Sequence, residues 1–209
     1  MIAIVDYGVG NLFSLKSSFA AIGEDAFVVS SEQEIRDADK ILLPGVGAFE
    51  DAAAKLRQSG LGQVIRQEAE NGKLLLGICL GMQMLFEKSY EYGEHEGLGL
   101  LKGVITPIAD VVPADYKIPH MGWNALHFQG ERHPLFSRIR EEDCVYFVHS
   151  YHATGCEDSL IAYAEYGGKI TATAAKKNVM GCQFHPEKSA DVGLEILKAF
   201  CEMKEEDVC

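Results

Sequence analysis

Two short segments carry residue types able to do covalent chemistry together: Gly77-Ile78-Cys79-Leu80-Gly81 and Phe184-His185-Pro186-Glu187. They supply a thiol nucleophile, an imidazole base and a carboxylate, the parts needed to cleave an amide through a thioester. Gly77 and Gly81 matter as much as Cys79, because a nucleophile on a sharp turn between strand and helix leaves no room for neighbouring side chains. His185 and Glu187 stand two apart, so on an extended segment their side chains leave the same face. The carboxylate then orients the imidazole and stabilises the imidazolium formed when Cys79 gives up its proton. A third segment, Leu42-Leu43-Pro44-Gly45-Val46-Gly47, ends another strand-like run. A backbone N–H from Gly45, Val46 or Gly47, together with that of Leu80, would hold a developing oxyanion. Taken singly, each segment also has a plainer reading: a buried cysteine in a tight turn, a surface turn after a strand, a strand-to-helix connection.

Positioning these groups takes the ends of neighbouring strands. Leu74, Leu75, Leu76 and Ile78 read as a buried strand running into the Cys79 turn. Met82, Gln83, Met84, Leu85 and Phe86 begin a helix beyond it, which places the thiol at a helix N-terminus where the dipole favours the thiolate. Strands predicted over 2–6, 26–30, 39–43 and 73–78 alternate with helices over 11–22, 48–58 and 61–70, the signature of a parallel sheet covered by helices. The second half is richer in strands, near 102–112, 121–128, 144–149, 160–166, 169–175 and 179–184. Tyr166-Gly167-Gly168-Lys169 makes a hairpin turn, and a closing helix over 189–203 buries Leu194, Ile196, Leu197 and Phe200. The expected fold is α/β: one domain over 1–209, a central, mostly parallel sheet flanked by helices, and a mixed, antiparallel strand extension.

Composition narrows the partners. A chain of 209 residues can bury a full core, and a net charge of −12 argues against nucleic acid. No apolar run approaches the ~20 residues that span a bilayer, and Met1-Ile2-Ala3-Ile4-Val5-Asp6 reads as a strand rather than a signal peptide. Six cysteines without a C-x-x-C pair suit neither a zinc site nor a disulfide framework, and most are expected as buried small hydrophobes in a reducing cytoplasm. His120, His127 and His133 share no metal-ligand spacing with a nearby carboxylate or cysteine, so they read as structural or surface histidines, and no metal or cofactor is expected. Residues 91–96 read as a solvated loop, with Glu91 the exception, and the acidic tail 204–209 carries no motif.

The Pro-Gly-Val-Gly segment, Gly-Ile-Cys-Leu-Gly-Met-Gln and Phe-His-Pro-Glu, in that order and spread over nearly the whole chain, resemble the class I (triad-type) glutamine amidotransferases. Within that family the chain is most similar to the glutaminase subunits of imidazole glycerol phosphate synthases, which serve histidine biosynthesis. The residues that point there are Asp6-Tyr7-Gly8-Val9-Gly10-Asn11-Leu12, Pro44 to Phe49, Pro119-His120-Met121-Gly122-Trp123-Asn124, Phe147 to Tyr151, and His185 to Ser189. The resemblance implies Cys79 as nucleophile, His185 as general base and acid, and Glu187 as the third member. It also implies that Gln83, Glu91 and the backbone of His149, Ser150 and Tyr151 hold L-glutamine. Asn11, Trp123, Tyr146 and Lys188 would then lie near a partner subunit. Ammonia freed into neutral water becomes non-nucleophilic ammonium and this length leaves no room for an acceptor site, so a separate synthase subunit is expected, which the resemblance implies to be a (β/α)8-barrel cyclase in a heterodimer. The rival readings are a glutaminase subunit for anthranilate, aminodeoxychorismate or pyridoxal phosphate synthesis, a cysteine peptidase or redox-responsive protein of similar fold, and a scaffold that binds a synthase without cleaving glutamine.

Overall fold

Runs that are apolar on both faces belong in the middle of a parallel sheet, and the computed structural model, which describes residues 1–208, has them there. The first strands are β1 (Ile2–Val5), β2 (Ala26–Val29), β3 (Lys40–Gly45) and β4 (Leu74–Cys79). They are joined through helices α1 (Leu12–Ala21), α2 (Glu32–Asp37), α3 (Phe49–Gln58) and α4 (Leu61–Glu70). One turn of helix, α5 (Leu80–Gln83), follows Cys79, and then come β5 (Phe86–Ser89), β6 (His95–Glu96), β7 (Leu101–Pro107), β8 (His120–Ala125) and β9 (His127–Phe128). The remaining strands are β10 (Cys144–His149), β11 (Tyr151–Thr154), β12 (Leu160–Glu165), β13 (Lys169–Lys176) and β14 (Val179–Cys182), and helix α6 (Ala190–Glu202) follows.

The main sheet has eight strands in the order β2-β1-β3-β4-β14-β13-β12-β9. The first five run parallel and the last three extend the sheet antiparallel. Strand alternation sorts the core into two sides. Ile2, Ile4, Leu74, Leu76 and Ile78 pack in the cluster that holds Leu15 and Phe19 of α1 and Ile196 and Phe200 of α6. Ala3, Val5 and Leu75 pack on the other side with Phe49, Leu56 and Val64 of α3 and α4. Strands β11, β7, β5 and β6 form a second sheet, and β8 pairs with β10 as a two-stranded ribbon.

Several expectations shift. The helix expected over 82–86 ends at Gln83. Met84, Leu85 and Phe86 are all buried, and their carbonyls accept from Leu98, Leu100 and Gly99 respectively, so the backbone bonds sideways into a strand instead of up a helix. With a single turn of helix behind it, Cys79 draws little from a macrodipole, and its electrostatic support has to come from side chains. Strand β14 stops at Cys182, two residues short of the expected end, and the 102–112 strand gives way to a 3₁₀ turn at Ile108–Asp110. Helix α2 and strands β5, β6 and β11 were not anticipated. Cys209, the last residue of the acidic tail, lies outside the described residues.

Candidate active site

The C-terminal ends of β3, β4 and β14 come together, as sites do in parallel sheets. Gly45 lies opposite Cys79 and Ile78 opposite Cys182 in the strand register. Cys79 takes φ 54° and ψ −113°, a strained conformation for a residue with a side chain, and it turns the chain sharply out of β4. Glycines make that turn possible. A Cβ on Gly81 would sit 1.9 Å from the Leu43 carbonyl oxygen, and one on Gly77 2.7 Å from the Gly81 oxygen. On Gly45 it would meet the Gly81 nitrogen at 2.7 Å. Backbone therefore packs directly on backbone around the thiol.

His185 is 2% exposed and is pinned from two sides. Its N–H donates to the Tyr146 carbonyl of β10 at 3.0 Å. Ser189 Oγ donates to the His185 carbonyl at 2.6 Å and accepts from the Tyr146 N–H at 2.9 Å. His185 itself is extended, but Pro186–Lys188 form a 3₁₀ turn. Glu187 thus reaches the imidazole by a curl of the chain rather than by strand alternation, because Pro186 supplies a φ suited to a first helical position. The carboxylate Oε1 meets His185 Nδ1 at 2.8 Å, and the Glu187 side chain is 1% exposed. Helix α6 seats against this turn through Gly193, where a Cβ would lie 1.9 Å from the Pro186 carbonyl oxygen. Burial alone would disfavour a charged His185. Hydrogen bonding to Cys79 and Glu187, and their negative charge, outweigh it and raise the imidazole to about 9. A protonated His185 facing the Cys79 sulfur is the outcome. By contrast, burial pushes the Cys182 and Cys201 thiols up to about 12 and keeps them protonated.

A cavity of about 440 Å³ opens over this pair and is lined by Val46, Gly47, Cys79, Leu80, Gln83, Glu91, His149, Ser150, Tyr151, His185 and Lys188, among others. These are most of the residues singled out from the sequence. Gly45 and Glu187 sit behind the wall, and Asn11, Trp123 and Tyr146 lie off the cavity. Lys188, expected toward a partner, is exposed and also lines it. Glu91 already spends one oxygen on the Phe49 N–H at 2.6 Å, at the start of α3. A larger groove of about 700 Å³ beside α3 and α4 contains none of these groups.

Comparison with known proteins gives the same answer as the geometry. The family described as Glutamine amidotransferase class-I matches residues 3–203. The chain belongs to that family. Imidazole glycerol phosphate synthase subunit HisH of Lactococcus lactis is 50% identical over 202 residues, covering 96% of this chain and 98% of its own length. The protein of that name from Bacillus subtilis is 47% identical over 209 residues, covering 99% and 98%. Among solved structures, PurLQS from Thermotoga maritima superposes with a TM-score of 0.75 at 20% identity, covering 96% of each chain. The glutaminase domain of Trypanosoma brucei CTPS, with bound acivicin, gives 0.67 at 15% identity, covering 97% of this chain and 94% of that one. At those identities the likeness is one of fold.

In this class I amidotransferase the sequence alone did not reveal a buried polar chain behind the cavity. Gln83 Nε2 donates to the Tyr151 carbonyl at 3.2 Å and to Gln183 Oε1 at 3.0 Å. Gln183 Nε2 in turn donates to Cys79 Sγ at 3.7 Å. From the far side, Asn124 Nδ2 donates to the Glu165 carbonyl and to His120 Nε2, His120 Nδ1 to His149 Nε2, and His149 Nδ1 to the same Tyr151 carbonyl. Both histidines must be neutral to accept, and burial lowers His120 to about 4 and His149 to about 3. Tyr7 was also missed. Its hydroxyl donates to the Pro44 carbonyl at 2.8 Å, and burial, then the charge of Cys79, raises its pKa and keeps that donor protonated. No periodicity or spacing marks Gln183 or Tyr7, since each is defined by a contact across the sheet. On the β8–β10 ribbon, Trp123 stands opposite Tyr146 with ring centroids 6.2 Å apart, and Met121 and Trp123 are 60% and 55% exposed.

Proposed function

We propose that the chain is the glutaminase subunit of an imidazole glycerol phosphate synthase, one catalytic unit over its 209 residues. The observation that carries this reading is near-half identity to subunits of that name over almost the full length of both chains, with the Cys79, His185 and Glu187 set intact.

In the reaction, His185 holds the Cys79 proton while the sulfur attacks the side-chain amide of glutamine. The N–H of Leu80 and one from Gly45, Val46 or Gly47 take the oxyanion. His185 then delivers its proton to the departing ammonia, and water hydrolyses the glutamyl thioester. Gln83, Glu91 and the backbone of His149, Ser150 and Tyr151 hold the substrate against the sulfur, which their place around the cavity supports. Ammonia passes directly to a (β/α)8-barrel cyclase docked on Asn11, Trp123, Tyr146 and Lys188. There it completes imidazole glycerol phosphate and an aminoimidazole carboxamide ribotide.

Hydrolysis without an acceptor would waste glutamine. The peptide at 45–47 therefore turns to complete the oxyanion hole when the cyclase holds its nucleotide, a motion that Gly47 (φ +95°) makes cheap. We place the enzyme in the cytoplasm, a reading supported by Cys79, Cys144, Cys156, Cys182 and Cys201 being free thiols; no helix among the described residues is long and apolar enough to cross a membrane. The test is glutamate release by the chain alone, with the cyclase, and with the cyclase and its nucleotide substrate. Strong activation only in the complete mixture is expected. A rate indifferent to the cyclase would remove the synthase assignment and leave a plain glutaminase.

A further inference from the structure

The polar chain that ends on the Cys79 sulfur has a polarity set by backbone. A carbonyl only accepts, so the Tyr151 oxygen fixes the Gln83 nitrogen toward it. That nitrogen also donates to Gln183, which fixes the Gln183 oxygen on that side and turns the Gln183 N–H group toward Sγ. Gln183 cannot flip without setting two donors against each other. Nor is it free to swing, for its side chain is fully buried and its backbone N–H is held by the Ala172 carbonyl of β13 at 2.8 Å. The Tyr151 carbonyl is steadied from behind by His149. An amide placed this way has one open function, which is to donate to sulfur.

We propose that Gln183 is a further catalytic residue, whose side-chain N–H holds the Cys79 sulfur and supports the negative charge that develops there as its proton passes to His185 and it attacks. This inference rests on the reading of Cys79 as nucleophile. The need for such a donor follows from the fold: the helix after Cys79 is a single turn, so the usual helix N-terminus is largely missing. Among the groups facing the sulfur, His185 must give its proton away to the leaving ammonia, and Tyr7 is committed to the Pro44 carbonyl. Glu91 and Lys188 also line the cavity, the first bound to the Phe49 N–H and the second exposed. Gln183 is the neutral donor that stays in place through the whole cycle.

The experiment follows iodoacetamide alkylation of Cys79 against pH in the full chain, with the adduct located by mass spectrometry. It is paired with kcat and KM for glutamine in the complex with the cyclase and its nucleotide substrate. Gln183→Met keeps the length and removes the donor. A hydrogen bond to a charged group is worth enough that its loss raises the alkylation midpoint by about one pH unit and lowers kcat about tenfold, with KM moved less than about threefold. Gln183→Leu also fills the volume without a donor and adds no charge beside the sulfur, so it carries the test if the Met variant does not fold. A purely packing role predicts that Met and Leu leave both the midpoint and kcat at wild type, whereas the donor role predicts that both variants shift them in the same sense. Folded variants with wild-type midpoint and kcat overturn the inference. Cys79→Ser separates the two readings: if it still releases glutamate, the nucleophile assignment fails. If it is inactive while the Gln183 variants match wild type, only the role of Gln183 fails.

Discussion

At the Cys79 turn, backbone lies against backbone, and Gln83, Gln183 and His185 each have a fixed hydrogen-bond partner. On the β8–β10 ribbon, Met121 and Trp123 stand more than half exposed on a two-stranded element. The first region tolerates no added atom, because Gly45, Gly77 and Gly81 already touch the neighbouring main chain. The second holds a large apolar surface that nothing among the described residues covers, the composition expected of an interface anchor. Labour is divided between the two. Chemistry needs a sulfur and an imidazole held by the sheet itself, while recognition of a second subunit needs side chains left available, and the buried chain from Asn124 through His120 and His149 joins the two regions.

The largest effect should come from adding one carbon at the turn. Gly81→Ala drives a Cβ into the Leu43 carbonyl and should cost about 3 kcal/mol or more, with glutaminase activity lost, as read by denaturant melts and glutamate release. A full-strength, stable Gly81→Ala enzyme would mean that the turn is not close-packed after all. Next, Glu187→Gln removes the carboxylate that helps hold His185 up at about 9. It should lower kcat about 100-fold and move the alkaline limb of the pH profile toward neutrality. The sign follows from linkage: His185 is raised above its ordinary value of 6.5, so its protonation stabilises the fold fully below that pH, and the contribution fades as pH climbs toward 9. Melting curves taken between those two values should fall more steeply for wild type than for Glu187→Gln. On the ribbon the penalty shifts from catalysis to association. Trp123→Ala should weaken cyclase binding by about 30-fold, the ~2 kcal/mol of an aromatic hot spot, measured by titration calorimetry. An unchanged affinity would place the cyclase on another face.

How much was legible in the sequence depended on whether a residue's role is local. Helix α4 was expected over 61–70 and is found there, because Leu61, Val64 and Ile65 mark one face on their own. The Cys79 turn was legible from its two glycines, and the parallel half of the sheet from its apolar runs. Helix α2 has a local signal, the Ser31 and Glu34 capping box, but at six residues it is too short to show a helical apolar period. Strands β5, β6 and β11 are short and defined by partners far along the chain. The Glu187 carboxylate was expected at His185, but through an extended segment rather than a 3₁₀ turn. Gln183 had no local mark, and Tyr7 stood in the Asp6 to Leu12 segment without a role of its own, since what they do is set by residues 104 and 37 positions away.

The most direct test of the account is the Cys79→Ala subunit assembled with the cyclase, assayed for product with glutamine and then with ammonium salt as the nitrogen source. Glutamine-driven synthesis should fall below detection while ammonia-driven synthesis is unchanged. Persistence of the glutamine-driven reaction would contradict the assignment of Cys79 as nucleophile.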